Sequence, residues 1–435
     1  MRIHAAVAAA LVALVIFGLA SQSRAASDST CKADVANAPA AATPAHKLLL
    51  IPGPIEFSEE VLAAAGGLAT SHVDPSFVAE FGETLELLRK VFLAERGQPF
   101  VVSGSGTLGW DMVACNLVEP GQNVLVVNTG YFGDRFGETF EAYGVNVTHL
   151  RAPAIGDRPS LEDISAALDA APAGGYRLLT ITHVDTSTGV LMDVEAVAKL
   201  VADKAPDTLL IVDGVCSVGG ESLKVDEWGV GAVLTASQKA LGTPPGLSIL
   251  MLGEKGMKVF EARTAPINNY YASLRKWLPI MQAYEARRPS YFATPAVQLV
   301  QALRTSLKQI LAQTPDINDR FSKHAAVSQY VKQVVTGWGL RLVPVSPEKA
   351  ANTMTAVYMP NGMVNAQLLP KVAARGVMLA GGLHPDIAPK YFRIGHMGIS
   401  VMDDHRGHID KVLQVLKEAL DEAKSEAAAA TSAAA

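Results

Sequence analysis

Residues 208–242 read TLLIVDGVCSVGGESLKVDEWGVGAVLTASQKALG, and two apolar runs in that stretch each lead into a residue that a buried sheet does not ordinarily welcome. Thr208 to Val212 gives way to Asp213, and Ala232 to Thr235 is followed by Ala236-Ser237-Gln238-Lys239. The runs are apolar nearly throughout rather than alternating, which is how strands covered on both faces read. Comparable runs stand at Asn123 to Asn128, Leu178 to Thr182 and Leu247 to Leu252. Helical stretches separate them. Ser160 with Asp163 makes a capping-box pattern ahead of Ile164, Ala167 and Leu168, and Val194, Val197, Ala198 and Val201 share one stripe. Strand and helix alternating in this way predict an α/β fold, a mostly parallel sheet with helices on both faces and ligands at the carboxyl ends of its strands.

Outward from this core the texture changes. After Thr294, helices are expected at Pro295 to Ile310 and Arg320 to Val335, strands at Leu340 to Val343, Met354 to Met359, Val377 to Leu379 and Tyr391 to Ile394, and a closing amphipathic helix after Asp404. The predicted organisation is a large domain over 45–300 and a smaller α+β domain over 301–424. A low-complexity tail follows over 425–435. Ala5 to Ala20 is an uncharged apolar run, shorter than the roughly 20 residues of a spanning helix. Residues 1–25 therefore read as a leader and 26–44 as a disordered linker. Mitochondrial delivery is the expectation, with a secretory signal or a membrane anchor as the other readings of such a run.

Composition narrows the function. Of the 435 residues 49% are apolar and 18% charged, and 37 basic against 42 acidic residues give a net charge of −5. A nucleic-acid binder carries a basic excess, which this chain lacks. Cys31, Cys115 and Cys216 form no CxxC pair, and the ten histidines show no metal-ligand spacing, so no metal site is expected.

Three features carry chemistry. Ser103-Gly104-Ser105-Gly106-Thr107 lies between a strand-like run and a helix, where glycines admit an anion and helix N–H groups face it. Taken alone it is also an ordinary Gly/Ser turn. Asp213, at a strand end, needs a cationic or protonated partner, or serves as a turn aspartate. Lys239, after an apolar strand and before Thr243-Pro244-Pro245-Gly246, is a desolvated amine nucleophile or a snorkelling surface lysine. Together, in this order, a phosphate cup, an aspartate for a ring nitrogen and a lysine for a Schiff base are the parts that pyridoxal phosphate requires.

At this point the chain resembles the class V aminotransferases of the fold type I pyridoxal-phosphate enzymes, specifically the alanine:glyoxylate / serine:pyruvate aminotransferases. The resemblance runs from about Leu48 to Leu420. It rests on Ile51-Pro52-Gly53-Pro54, the Ser103 to Thr107 loop, Thr182 to Gly189 (THVDTSTG), Asp213 to Ser217, Ser237 to Ala240, Gly381-Gly382-Leu383 and Phe392-Arg393-Ile394-Gly395. It implies a large domain with a seven-stranded type of sheet, in which 45–70 contributes to the site and to a dimer, and a smaller carboxyl-terminal one. Lys239 would bind the cofactor covalently and act as the base, Asp213 would hold the pyridinium nitrogen, and Ser105, Gly106, Thr107 and Gln238 the phosphate. Val215 follows Asp213 in the same cofactor-binding block. Phe132 would stack on the ring, where relatives often carry Trp, and Thr186 would reach the 3-hydroxyl region. Tyr291 and Thr294 would reach the other subunit's site, making a homodimer, while Arg393 would grip the substrate carboxylate and Gly53 line a small substrate pocket. The family occurs in peroxisomes, mitochondria and cytosol.

The implied reaction passes the amino group of L-alanine or L-serine to glyoxylate by a ping-pong route, giving glycine. Other class V chemistry, that of a serine:pyruvate enzyme, a phosphoserine aminotransferase or a cysteine desulfurase, is the alternative. A dehydrogenase-type nucleotide domain needs GxGxxG together with a downstream acid; Gly104, Gly106 and Gly109 have the glycine spacing, but the next strand-like run ends in Asn128, and this reading gives Lys239 no task. His183 reads as a hydrogen-bonded structural histidine, His72 as an entrance residue, Cys216 as buried packing, and Arg287 with Arg288 as solvated charges.

Overall fold

The computed structural model describes residues 46–434, with side chains through 429. The leader, the linker and Cys31 lie outside the described residues. Seven strands, β1 (Gln98–Ser103), β2 (Asn123–Asn128), β3 (Asn146–Arg151), β4 (Leu178–Thr182), β5 (Leu209–Asp213), β6 (Ala232–Ala236) and β7 (Leu247–Leu252), form one sheet in the order β1-β7-β6-β5-β4-β2-β3. Only β7 runs against its neighbours. Every residue of β4 to β7 is buried, which accounts for their continuous apolar runs. β1 and β3 are the two edge strands, and β3 mixes exposed with half-buried residues.

Helices α1 (Glu59–Ala65), α2 (Pro75–Phe92), α3 (Gly106–Leu117), α4 (Tyr131–Ala142), α5 (Leu161–Asp169), α6 (Val194–Lys204), α7 (Glu254–Ala262), α8 (Leu274–Glu285) and α9 (Val297–Gln313) belong to this part of the chain. Local sequence sets their starts. The Ser160 and Asp163 capping box is present in full at α5, and Asp74 caps α2 ahead of Pro75 at its first position.

A second core gathers around β8 (Met354–Tyr358), β9 (Ala380–Gly381) and β10 (Tyr391–Gly395), an antiparallel sheet in the order β8-β10-β9. α11 (Asn365–Ala374), the short α12 (Ile399–Met402) and α13 (His408–Ala434) accompany it. The change of core falls within α10 (Ile317–Gly337): Ile317 and Phe321 pack in the first cluster, Val331 and Val335 in the second. The boundary expected at 300/301 thus falls inside α9, whose Val300, Leu303, Leu307 and Ile310 all pack in the first core. Leu48–Leu49 pairs in parallel with Val377–Met378, so the chain enters through the second core and crosses to the site at Ile51 to Pro54.

Three sequence expectations change. Leu340 to Val343 is no strand, because only Leu342 bridges, to Val357. Val377 to Leu379 contributes two paired residues only. The low-complexity tail expected over 425–435 is helical through Ala434: α13 meets no Gly or Pro there, alanine is the best helix former, and Lys371 holds both Glu422 and Glu426 at 2.7 Å.

Candidate active site

Strand register lines up the carboxyl ends of β4, β5 and β6, with Thr182 opposite Asp213 and Asp213 opposite Leu234. Loops leaving these ends, with the β1-to-α3 turn, enclose one cavity. It brings together Ser105, Gly106, Thr107, Phe132, Thr186, Asp213, Val215, Gln238 and Lys239, and adds Trp110, Thr182, Val184 and Cys216.

Asp213 is only 3% exposed. Burial pushes its carboxyl up to about 6, opposed by two donors: the Val215 N–H to Oδ1 at 3.0 Å and the Trp110 indole N–H to Oδ2 at 2.8 Å. Sequence reasoning missed Trp110. Its place in a buried helix looked like core, and no pattern in the chain announced that its N–H meets a carboxylate 103 positions away.

Lys239 stands on a loop that closes on itself. Ser237 Oγ donates to Pro244 O at 2.8 Å, Thr243 Oγ1 to Ser237 O at 2.9 Å and Gly242 N to Lys239 O at 2.7 Å. Arg320, 2% exposed and without a carboxylate partner among the described residues, donates to Ala240 O at 3.1 Å and Gly219 O at 2.7 Å. This one guanidinium therefore ties the Lys239 loop to the loop that follows Asp213. The Lys239 amine donates to Pro52 O at 2.5 Å and Gly53 O at 3.4 Å, and burial lowers its pKa. A lysine bonded only to carbonyls and driven toward its neutral form is a primed nucleophile.

The anion cup has the expected ingredients. Ser105 is the N-cap of α3 but makes no side-chain capping bond, so the first N–H groups of the helix face the cavity unclaimed by it. Gly106 lies tight against Val215, where an added Cβ would stand 3.1 Å from Cγ2. Gln238 Oε1 is buried with no partner.

Thr186 belongs to a tight turn built by its neighbours. Asp185 accepts from Ser187 N at 2.9 Å and Ser187 Oγ at 2.6 Å, and Gly189 N returns to Asp185 O at 2.7 Å, with Gly189 at φ +74°. Arg393 on β10 reaches this turn. Its Nη1 donates to Thr186 O at 3.1 Å and its Nε to Gly381 O at 2.7 Å, and no carboxylate pairs with it among the described residues. Two positions earlier on the same face, Tyr391 Oη donates to Ser187 O and accepts from Leu383 N and His384 N. β10 thus carries the second domain's grip on the turn at Thr186 and Ser187.

Gly53 presses its backbone against Lys239, since an added Cβ would lie 2.7 Å from Nζ, and its φ is +95°. Tyr291 and Thr294 do not line the cavity within one chain. Tyr291 is 63% exposed, with its hydroxyl 3.4 Å from Thr294 Oγ1 and its ring 5.2 Å from His72. His183 is buried with its ring Nδ1 unpartnered among the described residues, and burial lowers it to about 3, so the ring is neutral. Cys216 is buried as expected, yet it lines the cavity, and burial pushes its thiol up to about 11. Arg287 is no free charge, since it pairs with Glu86 at 2.7 Å.

The family model "Aminotransferase class-V" matches residues 41–398. The chain is 40% identical to alanine–glyoxylate aminotransferase 1 of Saccharomyces cerevisiae over 387 residues, covering 86% of this chain and 98% of that protein. It is 32% identical to an L-aspartate–glyoxylate aminotransferase of Paracoccus denitrificans, covering 80% and 86%. Among solved structures, alanine–glyoxylate aminotransferase from Nostoc sp. superposes with a TM-score of 0.79 at 29% identity, over 88% of this chain and 97% of that one.

Proposed function

The chain belongs to the class V aminotransferases, and on that premise we propose that it transfers the amino group of L-alanine, or of L-serine, to glyoxylate, with pyridoxal phosphate as cofactor. The observation that carries this reading is the Lys239 amine, largely buried, bonded only to backbone carbonyls, in one cavity with Asp213 and the unclaimed N-terminus of α3. These residues fit the cofactor: helix N–H groups that would hold its phosphate, a buried acid that would hold its protonated nitrogen, and an amine that would bind its carbonyl carbon.

Bound pyridoxal phosphate supplies a ring that accepts the electron pair released at the substrate Cα. The chain's own groups do the rest. Lys239 would hold the cofactor and, once its amine is free, would be the base that takes the proton from the substrate Cα. Asp213 would keep the ring nitrogen charged. Arg393 turns its fork to the substrate carboxylate. Nη2, which bonds nothing among the described residues, is free for one carboxylate oxygen.

A small donor suits the backbone-lined wall at Gly53. Among the described residues, Lys239 is the only cation lining the cavity and Arg393 the only one bonded to its rim, so one chain by itself offers no further cation to a distal carboxylate or a substrate phosphate. The raised Cys216 thiol is a poor nucleophile and speaks against a desulfurase. Homodimerisation is part of the reading. Leu68 at 90%, Tyr270 at 72% and Tyr291 at 63% exposure are large apolar groups that a second copy would cover, which supports this reading. The test is an acceptor panel with L-alanine as donor. Glyoxylate is expected to be the best acceptor, and brisk turnover with 2-oxoglutarate but not glyoxylate would overturn the substrate assignment.

A further inference from the structure

The Trp110 indole is seated by a column of rings along α4. It stacks on Phe136 at 5.6 Å with planes 18° apart, and Phe136 stacks on Phe140 at 4.8 Å and 19°. Phe132, on the cavity wall, leans against it at 6.5 Å. From that seat the N–H reaches Asp213 Oδ2 at 2.8 Å, while the Val215 N–H takes Oδ1 at 3.0 Å. We propose that Trp110 is a positioning residue for the cofactor site: it fixes the plane of the Asp213 carboxylate and presents that group as an anion to the protonated ring nitrogen of pyridoxal phosphate. The proposal rests on the cofactor reading given under Proposed function.

The chemistry of the indole explains why it suits this task. Its N–H is a donor only, so it favours the ionised acid and has nothing to offer the acidic proton of the neutral one. With both oxygens facing donors, protonating Asp213 sets its O–H against an N–H. A lysine or arginine here would donate as well, but it would neutralise the charge that the ring nitrogen needs. The indole adds no charge, and the rest of its surface is apolar and keeps water out. The titratable groups around Asp213 pull in both directions. Asp185, on the turn after β4, opposes its charge; Lys239, after β6, favours it; and Cys216 lies three residues on. Trp110 is the one side chain among the described residues that hydrogen-bonds the carboxylate.

Two readouts on the full-length protein test this. The chain has four tryptophans, so indole nitrogen labelling gives a small set of N–H resonances. That of Trp110 is identified by its loss in Trp110→Phe or, should that variant not fold, by its displacement in Asp213→Asn. Before cofactor is added, this resonance is expected to shift between pH 5 and pH 8 with a midpoint near 6, following Asp213. Trp110→Phe leaves an aromatic, though smaller, ring and removes the donor, and the dissociation constant for pyridoxal phosphate is expected to rise about tenfold. An indole resonance indifferent to pH over that range, or a folded Trp110→Phe that binds the cofactor within twofold of the unaltered chain, would overturn the proposal. Failure of the unaltered chain to bind pyridoxal phosphate at all would instead sink the cofactor reading beneath it.

Discussion

Replacing Asp213 by asparagine isolates the cost of one buried charge. Burial lifts this carboxyl from an ordinary 3.8 to about 6, and the side chain is 3% exposed, so little solvent screening reduces the effect. Between those two values the folded chain holds a proton that the unfolded chain has released, so stability falls as pH rises through the window. The penalty is absent below 3.8 and complete above 6. A rise of that size is worth ~3 kcal/mol, all of it felt at pH 8 and about half at pH 5. Asparagine has the same shape and no charge. Like the protonated acid, it can offer an acceptor to only one of the two donors, Trp110 and Val215, and that loss is the same at both pH values. Urea unfolding of the cofactor-free protein at pH 5 and pH 8 should therefore show Asp213→Asn gaining on the unaltered chain by ~1.5 kcal/mol at the higher pH. A difference that stays flat, or moves the other way, would mean that Asp213 bears no buried charge. The physical case for its pairing with a pyridinium nitrogen would go with it.

Three further substitutions probe the neighbouring parts. Arg393→Lys keeps the charge but loses the fork, and KM for L-alanine should rise about 10-fold to 100-fold while the visible absorbance of the bound cofactor is retained. Arg320→Met leaves the carbonyls of Gly219 and Ala240 without their donor; a loss of ~2–4 kcal/mol in urea unfolding is expected, with kcat falling because the Lys239 loop loosens. Gly53→Ala puts a Cβ 2.2 Å from Lys239 Cδ at a backbone φ of +95°. It should cost about 1–2 kcal/mol in stability and lower the fraction of protein that carries cofactor, read by absorbance.

Much of the site was legible because strands buried on both faces must be apolar, so Asp213 and Lys239 stood out against β5 and β6. The helix-terminal cup was legible only through its place ahead of Asp213 and Lys239, since a Gly/Ser turn between a strand and a helix is by itself an ordinary turn. Trp110 and Arg320 were not. Both lie inside helices, where periodicity assigns an indole to the core and an arginine to a solvated face, and only the packing of distant segments reveals their acceptors. β3 escaped notice because an edge strand is half exposed and NVTHLR carries little apolar signal. Leu340 to Val343 misled in the opposite sense: it is apolar, yet Leu342 alone finds a bridging partner. The helical tail followed from alanine's own propensity once Lys371 was in place to hold Glu422 and Glu426.

The central claim is that Lys239 holds pyridoxal phosphate covalently. Borohydride reduction of the purified, cofactor-loaded protein, followed by peptide mass spectrometry, tests it directly. The account predicts a phosphopyridoxyl group on the peptide containing Lys239, and none in Lys239→Ala. An adduct on another lysine, such as the half-buried Lys332, or no adduct at all, would contradict it.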